Sequence, residues 1–296
     1  MVLNSSFKLR KKDDDLSKLI VEGLGSEPPE LKNRQGRLYA SDSVLCHKKG
    51  VLKSTRQVYE QSDALMSYYV EQGITAERVT LKGLDNAGVL LFENYRLPDI
   101  GINLGGYVDG IIYYKGKVWV LEVKQIGSLP ASPKKEHEAQ AMLYGAVTGL
   151  PSLILYLDRK VAGWNTGLLT RVFELDNSYD NRFKFLYRAV LASQFVKNKV
   201  IPKKPDYMKK SYCGRCPFFD RCWEGSEDYN NWLKQGFRNS DLTDEQEYSK
   251  IATKITKDLL NQQVMQNRTI GVLKFIFENG RENAKKHLSG SWSEFC

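Results

Sequence analysis

Asp109 and the triplet Glu122-Val123-Lys124 flank a Lys115-Gly116 dipeptide, and the residues around that dipeptide read as two β-strands. A two-residue hairpin loop that sets Tyr114 against Lys117 also sets Asp109 against Glu122. Side chains alternate along a strand, so Lys124 projects from the same face as Glu122. Two carboxylates opposed at roughly 5 Å repel each other and weaken a sheet. A divalent cation between them removes the conflict. Hard oxygen ligands beside a lysine suit Mg²⁺ or Mn²⁺ and attack of water on a phosphate, with the amine stabilising or deprotonating that water. Ordinary strands also carry Glu and Lys at alternate positions on a wet face. Here, however, the flanks are Tyr107, Val108, Ile111 and Ile112 before the turn and Val118, Trp119, Val120, Leu121 and Val123 after it. Strands that apolar are expected to be largely buried, and a charge in such a frame is costly unless paired or metal-bound.

A second set of chemical residues lies near the other end of the chain. Cys213, Cys216 and Cys222 form the pattern C-x₂-C-x₅-C. Three thiols so close in sequence can wrap one soft metal centre, and a tetrahedral or cubane site needs a fourth ligand. Cys46, far upstream, is the spare, and Cys296 reads as a free thiol. Structural zinc and plain buried cysteines both compete with an iron-sulfur centre here. Pro217 and the aromatic neighbours Tyr212, Phe218, Phe219 and Trp223 would supply a dry, rigid shell.

These residues need elements to hold them. The pattern predicts strands over 89–95, 104–114, 117–124, 152–157 and 169–175, and helices over 55–72, 74–84, 135–148, 178–197, 244–266 and 270–277. A short helix containing Cys46 is capped by Ser41 or Ser43. The 55–72 helix has Val58, Leu65, Met66 and Tyr69 as its apolar stripe, and Gly73 is expected to interrupt it. Glu77 falls on the next helical stretch, with Val79 and Leu81 suggesting that it faces partly inward. Gln140 and Tyr144 share one face of the 135–148 helix. His137, between Glu136 and Glu138, reads as part of a solvated helix face.

Residues 1–36 mix charge runs with prolines and read as a flexible arm, and 287–296 as a frayed end. The connector 201–210 carries Lys203, Lys204, Lys209 and Lys210, with Tyr207 and Tyr212 interleaved. It suits gripping phosphates and stacking a base, and it equally suits a solvated linker.

The bulk properties set the outer limits. The chain has 296 residues, 42% hydrophobic, which supports an ordinary globular core. No apolar run of about 18 residues and no apolar leader occur, so a soluble, cytoplasmic protein with no membrane partner is expected. A net charge of +9 favours a polyanionic partner such as nucleic acid. With only three histidines, zinc-protease and Cys-His nucleophile chemistry has little material.

Together the pieces resemble the RecB-like branch of the PD-(D/E)XK nucleases, in the members that carry an iron-sulfur cluster. These include CRISPR-associated adaptation nucleases, helicase-nuclease B subunits and phage recombination exonucleases. The matching elements are Gly73 to Glu77, Asp109, Glu122-Val123-Lys124, Gln140 with Tyr144, and Cys46 with Cys213, Cys216 and Cys222, in family order. The resemblance implies a restriction-endonuclease-like α/β core over 37–224, with a mixed central sheet flanked by helices and clasped by the cysteines, followed by a helical extension over 225–296. It implies that Glu77, Asp109, Glu122 and the Val123 carbonyl ligate Mg²⁺ or Mn²⁺. Lys124 would activate water, Gln140 and Tyr144 would position the scissile strand, and the four cysteines would hold a cluster, in 4Fe–4S form rather than zinc.

The implied activity is a DNA exonuclease acting on single strands or duplex ends, in phage or cellular recombination or repair, alongside a helicase or recombination partner. The amino arm and the length beyond the cysteines favour that role over a compact adaptation nuclease. A non-catalytic DNA-binding module of the same fold is the alternative from another class. Two departures stand out: Glu77 occupies a position where many relatives have histidine, and the Asp109 segment lacks the proline of the family name.

Overall fold

The computed structural model describes residues 37–40, 46–55, 64–159, 170–203, 233–234 and 236–262. The arm at 1–36, the predicted helix at 270–277, and Cys213, Cys216, Cys222 and Cys296 lie outside the described residues.

The central hairpin forms in the expected register. Strand β4 (Tyr107–Tyr114) runs antiparallel to β5 (Lys117–Ile126), with Tyr114 against Lys117 and each pair in step up to Gly110 against Leu121. Lys115 and Gly116 both take positive φ, 50° and 72°. That is the backbone of a type I′ turn, whose twist matches the strands it joins. Of the two, only Gly116 adopts it without a Cβ penalty.

Around this hairpin a five-stranded sheet has the order β2-β4-β5-β6-β7. Strand β2 (Leu90–Arg96) pairs antiparallel with β4 and forms one edge. Strand β6 (Ser152–Asp158) pairs parallel with β5, and β7 (Thr170–Glu174) antiparallel with β6. The sheet is therefore mixed, as a β-α-β crossover flanked by hairpin pairings requires. The single strand expected over 104–114 is split at Gly106. Its first part, β3 (Leu104–Gly105), leaves the sheet to pair in parallel with β1 (Leu38–Tyr39).

The helices are α1 (His47–Thr55), α2 (Ala64–Asn86), α3 (Lys135–Thr148), α4 (Tyr179–Lys197) and α5 (Leu242–Asn261). One face of the sheet packs Ile112, Trp119, Leu121, Val123, Leu153 and Leu157 against Leu81 and Leu84 of α2. The other face offers Val108, Ile111, Val118 and Val120 to residues of α3, α4 and α5. Odd- and even-numbered residues of β5 thus serve different layers, which explains the near-continuous apolar run.

Two expectations change. Gly73 does not interrupt a helix: α2 runs through it without a break. A mid-helix glycine costs about 1 kcal/mol relative to alanine, less than the burial gained by Leu81 and its neighbours against the sheet. The helix ends instead at Asn86, and just beyond it Gly88 takes φ 72° while Val89 N–H donates to the Leu84 carbonyl at 3.0 Å. That six-to-one bond closes the end and turns the chain into β2. Helix α5 starts ahead of the predicted 244, because Asp241 and Asp244 cap each other reciprocally. Asp241 Oδ1 accepts Asp244 N–H at 2.8 Å, and Asp244 Oδ2 accepts Asp241 N–H at 3.0 Å.

Helix α3 sits tightly on β6. A Cβ at Gly145 would meet Ser152 Oγ, Asn177 Oδ1 at 2.8 Å and the Leu150 carbonyl at 2.9 Å. Gly145→Ala is expected to destabilise the protein by about 1–3 kcal/mol despite alanine's better helix propensity. Urea unfolding checks this; an unchanged midpoint would mean that the α3–β6 contact yields easily.

Candidate active site

The β4–β5 ladder ends where the chemistry begins. Past Gly110 against Leu121, the next backbone exchange would join Val108 to Val123. Val108 instead keeps its pairing with Tyr95 of β2, and the Val123 N–H donates to Asp109 Oδ2 at 2.7 Å. The strands therefore separate at Asp109 and Glu122, and a carboxylate takes the place of a carbonyl. This fixes Asp109 against the very residue that precedes Lys124.

Glu122 is completely buried, at 0% exposure. Its Oε1 forms an ion pair with Lys124 Nζ, and its Oε2 accepts no hydrogen bond among the described residues. A buried carboxylate oxygen without a donor is expensive unless it takes a proton or meets a ligand. Burial pushes the Glu122 carboxyl up, and the charges of Asp109 and Glu77 act in the same direction against the pull of Lys124. Asp109 is likewise raised, by burial, with Lys124 and the Val123 amide opposing. Lys124 suffers from burial, yet Glu122, Asp109 and Glu77 outweigh it and hold the ammonium above its ordinary range.

Glu77, half-buried on α2, is pushed up to about 7, first by burial and then by Asp109, with Lys124 opposing and Glu93 adding to the rise. It thus belongs to the same electrostatic cluster. The cluster is not a three-carboxylate cage: among the described residues no three His, Cys, Asp or Glu side chains are gathered closely enough to hold one ion. The donor set does fit a hard cation in a narrower form. Asp109 and Glu122 oxygens with the Val123 carbonyl supply ligands of the right chemistry, and the unsatisfied Oε2 of Glu122 is the oxygen most in need of a partner.

Helix α3 brings two more polar residues to this cluster. Gln140 Nε2 donates to Tyr144 Oη at 3.0 Å, the one-turn spacing expected of them. Burial raises the Tyr144 phenol well above its ordinary range, and the carboxylates of Glu122, Asp109 and Glu77 add to the shift, with the Gln140 hydrogen bond opposing. The phenol thus stays protonated, a donor or acceptor but not an anion.

His137 departs from expectation. It is half-buried rather than on a solvated face, and its Nδ1 lies 2.9 Å from Tyr156 Oη. Burial, then Lys124 and Lys134, lower it to about 3. The flanking glutamates suggested solvent. The better signal was its spacing: 137, 140 and 144 fall on one helical face.

The cysteine and lysine sets are met only at their edges. Cys46 directly precedes α1, and its Sγ accepts the Lys49 N–H at 3.5 Å. Of the connector lysines, Lys203 is described; its backbone N–H donates to Glu245 Oε1 of α5 at 3.1 Å. Lys204, Lys209 and Lys210 lie outside the described residues, as do Cys213, Cys216 and Cys222.

The chain is thus an α/β protein with a mixed five-stranded sheet flanked by helices, and its polar centre lies where β4 and β5 part. Among the described residues no helix is long and apolar enough to cross a membrane. No protein-family description matches the chain. No curated protein matches it. Among solved structures it is similar to the crystal structure of SSO0001, at 17% identity and a TM-score of 0.40, over 69% of this chain and 93% of that one.

Proposed function

We propose that this protein is a metal-dependent deoxyribonuclease of the RecB-like PD-(D/E)XK kind, with a restriction-endonuclease-like core. The observation that carries the reading is the fully buried Glu122, paired with Lys124 on one oxygen, lacking a donor on the other, and set beside Asp109 at the point where the strands part. A fold maintained only for packing gains nothing from two opposed carboxylates in an apolar frame.

Asp109, Glu122 and the Val123 carbonyl would hold Mg²⁺ or Mn²⁺, with Glu77 adding negative charge to the same cluster. The ion supplies Lewis-acid polarisation of a phosphate and lowers the pKa of water. Lys124 would orient the attacking water and compensate charge on the phosphate. Gln140 and the un-ionised Tyr144 hold the strand by hydrogen bonds. Tyr107, two residues before Asp109 and 57% exposed, offers a stacking surface, and its pairing partner on β2 is the exposed Arg96. With a net charge of +9, these features favour DNA as substrate.

Cys46, at the start of α1, would join Cys213, Cys216 and Cys222 around an iron-sulfur cluster that staples the fold. Protein prepared without oxygen is expected to be brown, and Cys213→Ser to be insoluble; a colourless, zinc-loaded, fully active preparation would contradict the cluster.

The decisive assay is digestion of 5′- and 3′-labelled DNA with Mg²⁺ or Mn²⁺. Metal-dependent shortening from one end supports an exonuclease of recombination or repair, or an enzyme that trims ends for CRISPR adaptation. DNA binding without cleavage under any metal would replace this reading with a non-catalytic module.

A further inference from the structure

Tyr156 lies in the middle of the sheet at 0% exposure, with its ring edge against Phe173 at 5.8 Å between centroids. Its hydroxyl accepts the backbone N–H of Lys134 at 3.0 Å, and an amide nitrogen can only donate. The hydroxyl proton must then go elsewhere, and among the described residues its one remaining neighbour is His137 Nδ1 at 2.9 Å. Nδ1 is therefore the acceptor, and the imidazole carries its proton on Nε2. The rings lie 5.5 Å apart, so the buried tyrosine fixes the plane of the histidine as well as its tautomer.

The direction in which this donor is offered is set by α3. Residues 137, 140 and 144 form one stripe, and Gln140 and Tyr144 on that stripe adjoin the Asp109–Glu122–Lys124 centre. Lys124 and Lys134 both act electrostatically on His137, while Glu136 and Glu122 act on the Tyr156 hydroxyl beside it, so the ring sits between charges of both signs. A neutral N–H there binds an anion without adding a charge that Lys124 would repel.

We propose that His137, locked by Tyr156 as the Nε2-protonated tautomer, donates a hydrogen bond to a non-bridging phosphate oxygen of a bound DNA strand, next to the phosphate that faces Glu122 and Lys124. The ligand rests on the nuclease reading above; the tautomer lock does not. His137 is on this account a positioning residue, and Tyr156 acts through it.

With three histidines in the chain, ¹⁵N correlation of the imidazoles in the full-length protein is straightforward to assign. Wild-type His137 should show a bare Nδ1 and a protonated Nε2, and Tyr156→Phe should release this into a mixture of tautomers. A protonated Nδ1 in the wild type, or no change in Tyr156→Phe, overturns the lock. A short thymidine oligonucleotide added in EDTA should then shift His137 Nε2–H. If it shifts signals around Lys124 and leaves His137 unmoved, or shifts nothing, this inference fails, while the nuclease reading stands or falls on the metal-supplemented cleavage assay. In cleavage assays His137→Phe should raise KM about tenfold with kcat little changed, as for loss of one hydrogen bond to a charged group, and His137→Gln, which keeps a donor at that reach, should restore most of the loss. Equal KM in all three proteins rejects the contact.

Discussion

Lys124→Ala is expected to lower Mg²⁺- or Mn²⁺-dependent DNA cleavage by about 10²–10⁴-fold, the range for removal of a positioned proton-transfer group, while DNA binding is retained. The retained binding follows from burial, because Lys124 is paired with the buried Glu122 while Tyr107 and Arg96 are exposed. The substitution also strands Glu122 in an apolar frame. Removing one partner of a buried ion pair commonly costs about 3–5 kcal/mol. Here the cost should fall below that range, since burial already pushes the Glu122 carboxyl up and it can take a proton instead of remaining charged. The pair Glu122→Gln and Lys124→Met separates chemistry from folding. Glu122→Gln keeps the volume but leaves the Lys124 ammonium with Asp109 and Glu77 alone, so it should unfold somewhat more readily than wild type and be as inactive as Lys124→Ala. Equal cleavage by wild type and Lys124→Ala, on folded protein, would remove Lys124 from the reaction.

Much of the scaffold was legible because it rests on local physics. The Lys115-Gly116 turn, the period-2 apolar strands and the 135–148 helix each follow from residues within one window, and they fix the Asp109–Glu122 register without any long-range information. What escaped was decided by contacts between distant segments. That Asp109 would bind the Val123 amide depends on β4 leaving β5 to stay with β2, which no pattern in 104–126 states. Gly73 looked like a helix end because its local preference is poor, and packing of α2 on the sheet overrode it. His137 looked wet because its sequence neighbours are charged, whereas a helix shows alternate faces to different surroundings, and the partner that claims it is on β6. The reciprocal cap of α5 was visible in the Asp241–Asp244 spacing but uses aspartate where the usual pattern has glutamate.

The second large effect concerns pH and metal together. Without a cation, the folded protein is expected to lose stability as pH rises from about 4.5 to about 7, the interval between the ordinary glutamate value and that of Glu77. The sign follows from proton binding. Glu77, Asp109 and Glu122 all have folded values raised above their unfolded ones, so in this window the native state holds more protons than the unfolded chain, and raising the pH removes them at its expense. Lys124, also raised, acts in the same sense but only in its own alkaline range, where the stability it gains from the carboxylates is lost on deprotonation. Mn²⁺ should replace the missing protons. At about 100 times its Kd an ion contributes about 2.7 kcal/mol, or roughly 4–5 °C in Tm for a chain of this size. The shift should be larger at pH 8 than at pH 5, where protons compete for the same oxygens. Asp109→Asn removes one ligand and one of the repelling charges, so it should flatten the metal-free pH slope and abolish most of the Mn²⁺ shift. Thermal unfolding of both proteins, with Mn²⁺ or with EDTA, across this pH range checks every part. Wild-type stability that stays level or climbs between pH 5 and 8 in EDTA, with no upward shift on adding Mn²⁺, would mean that the carboxylates at the parting of β4 and β5 are not a cation site.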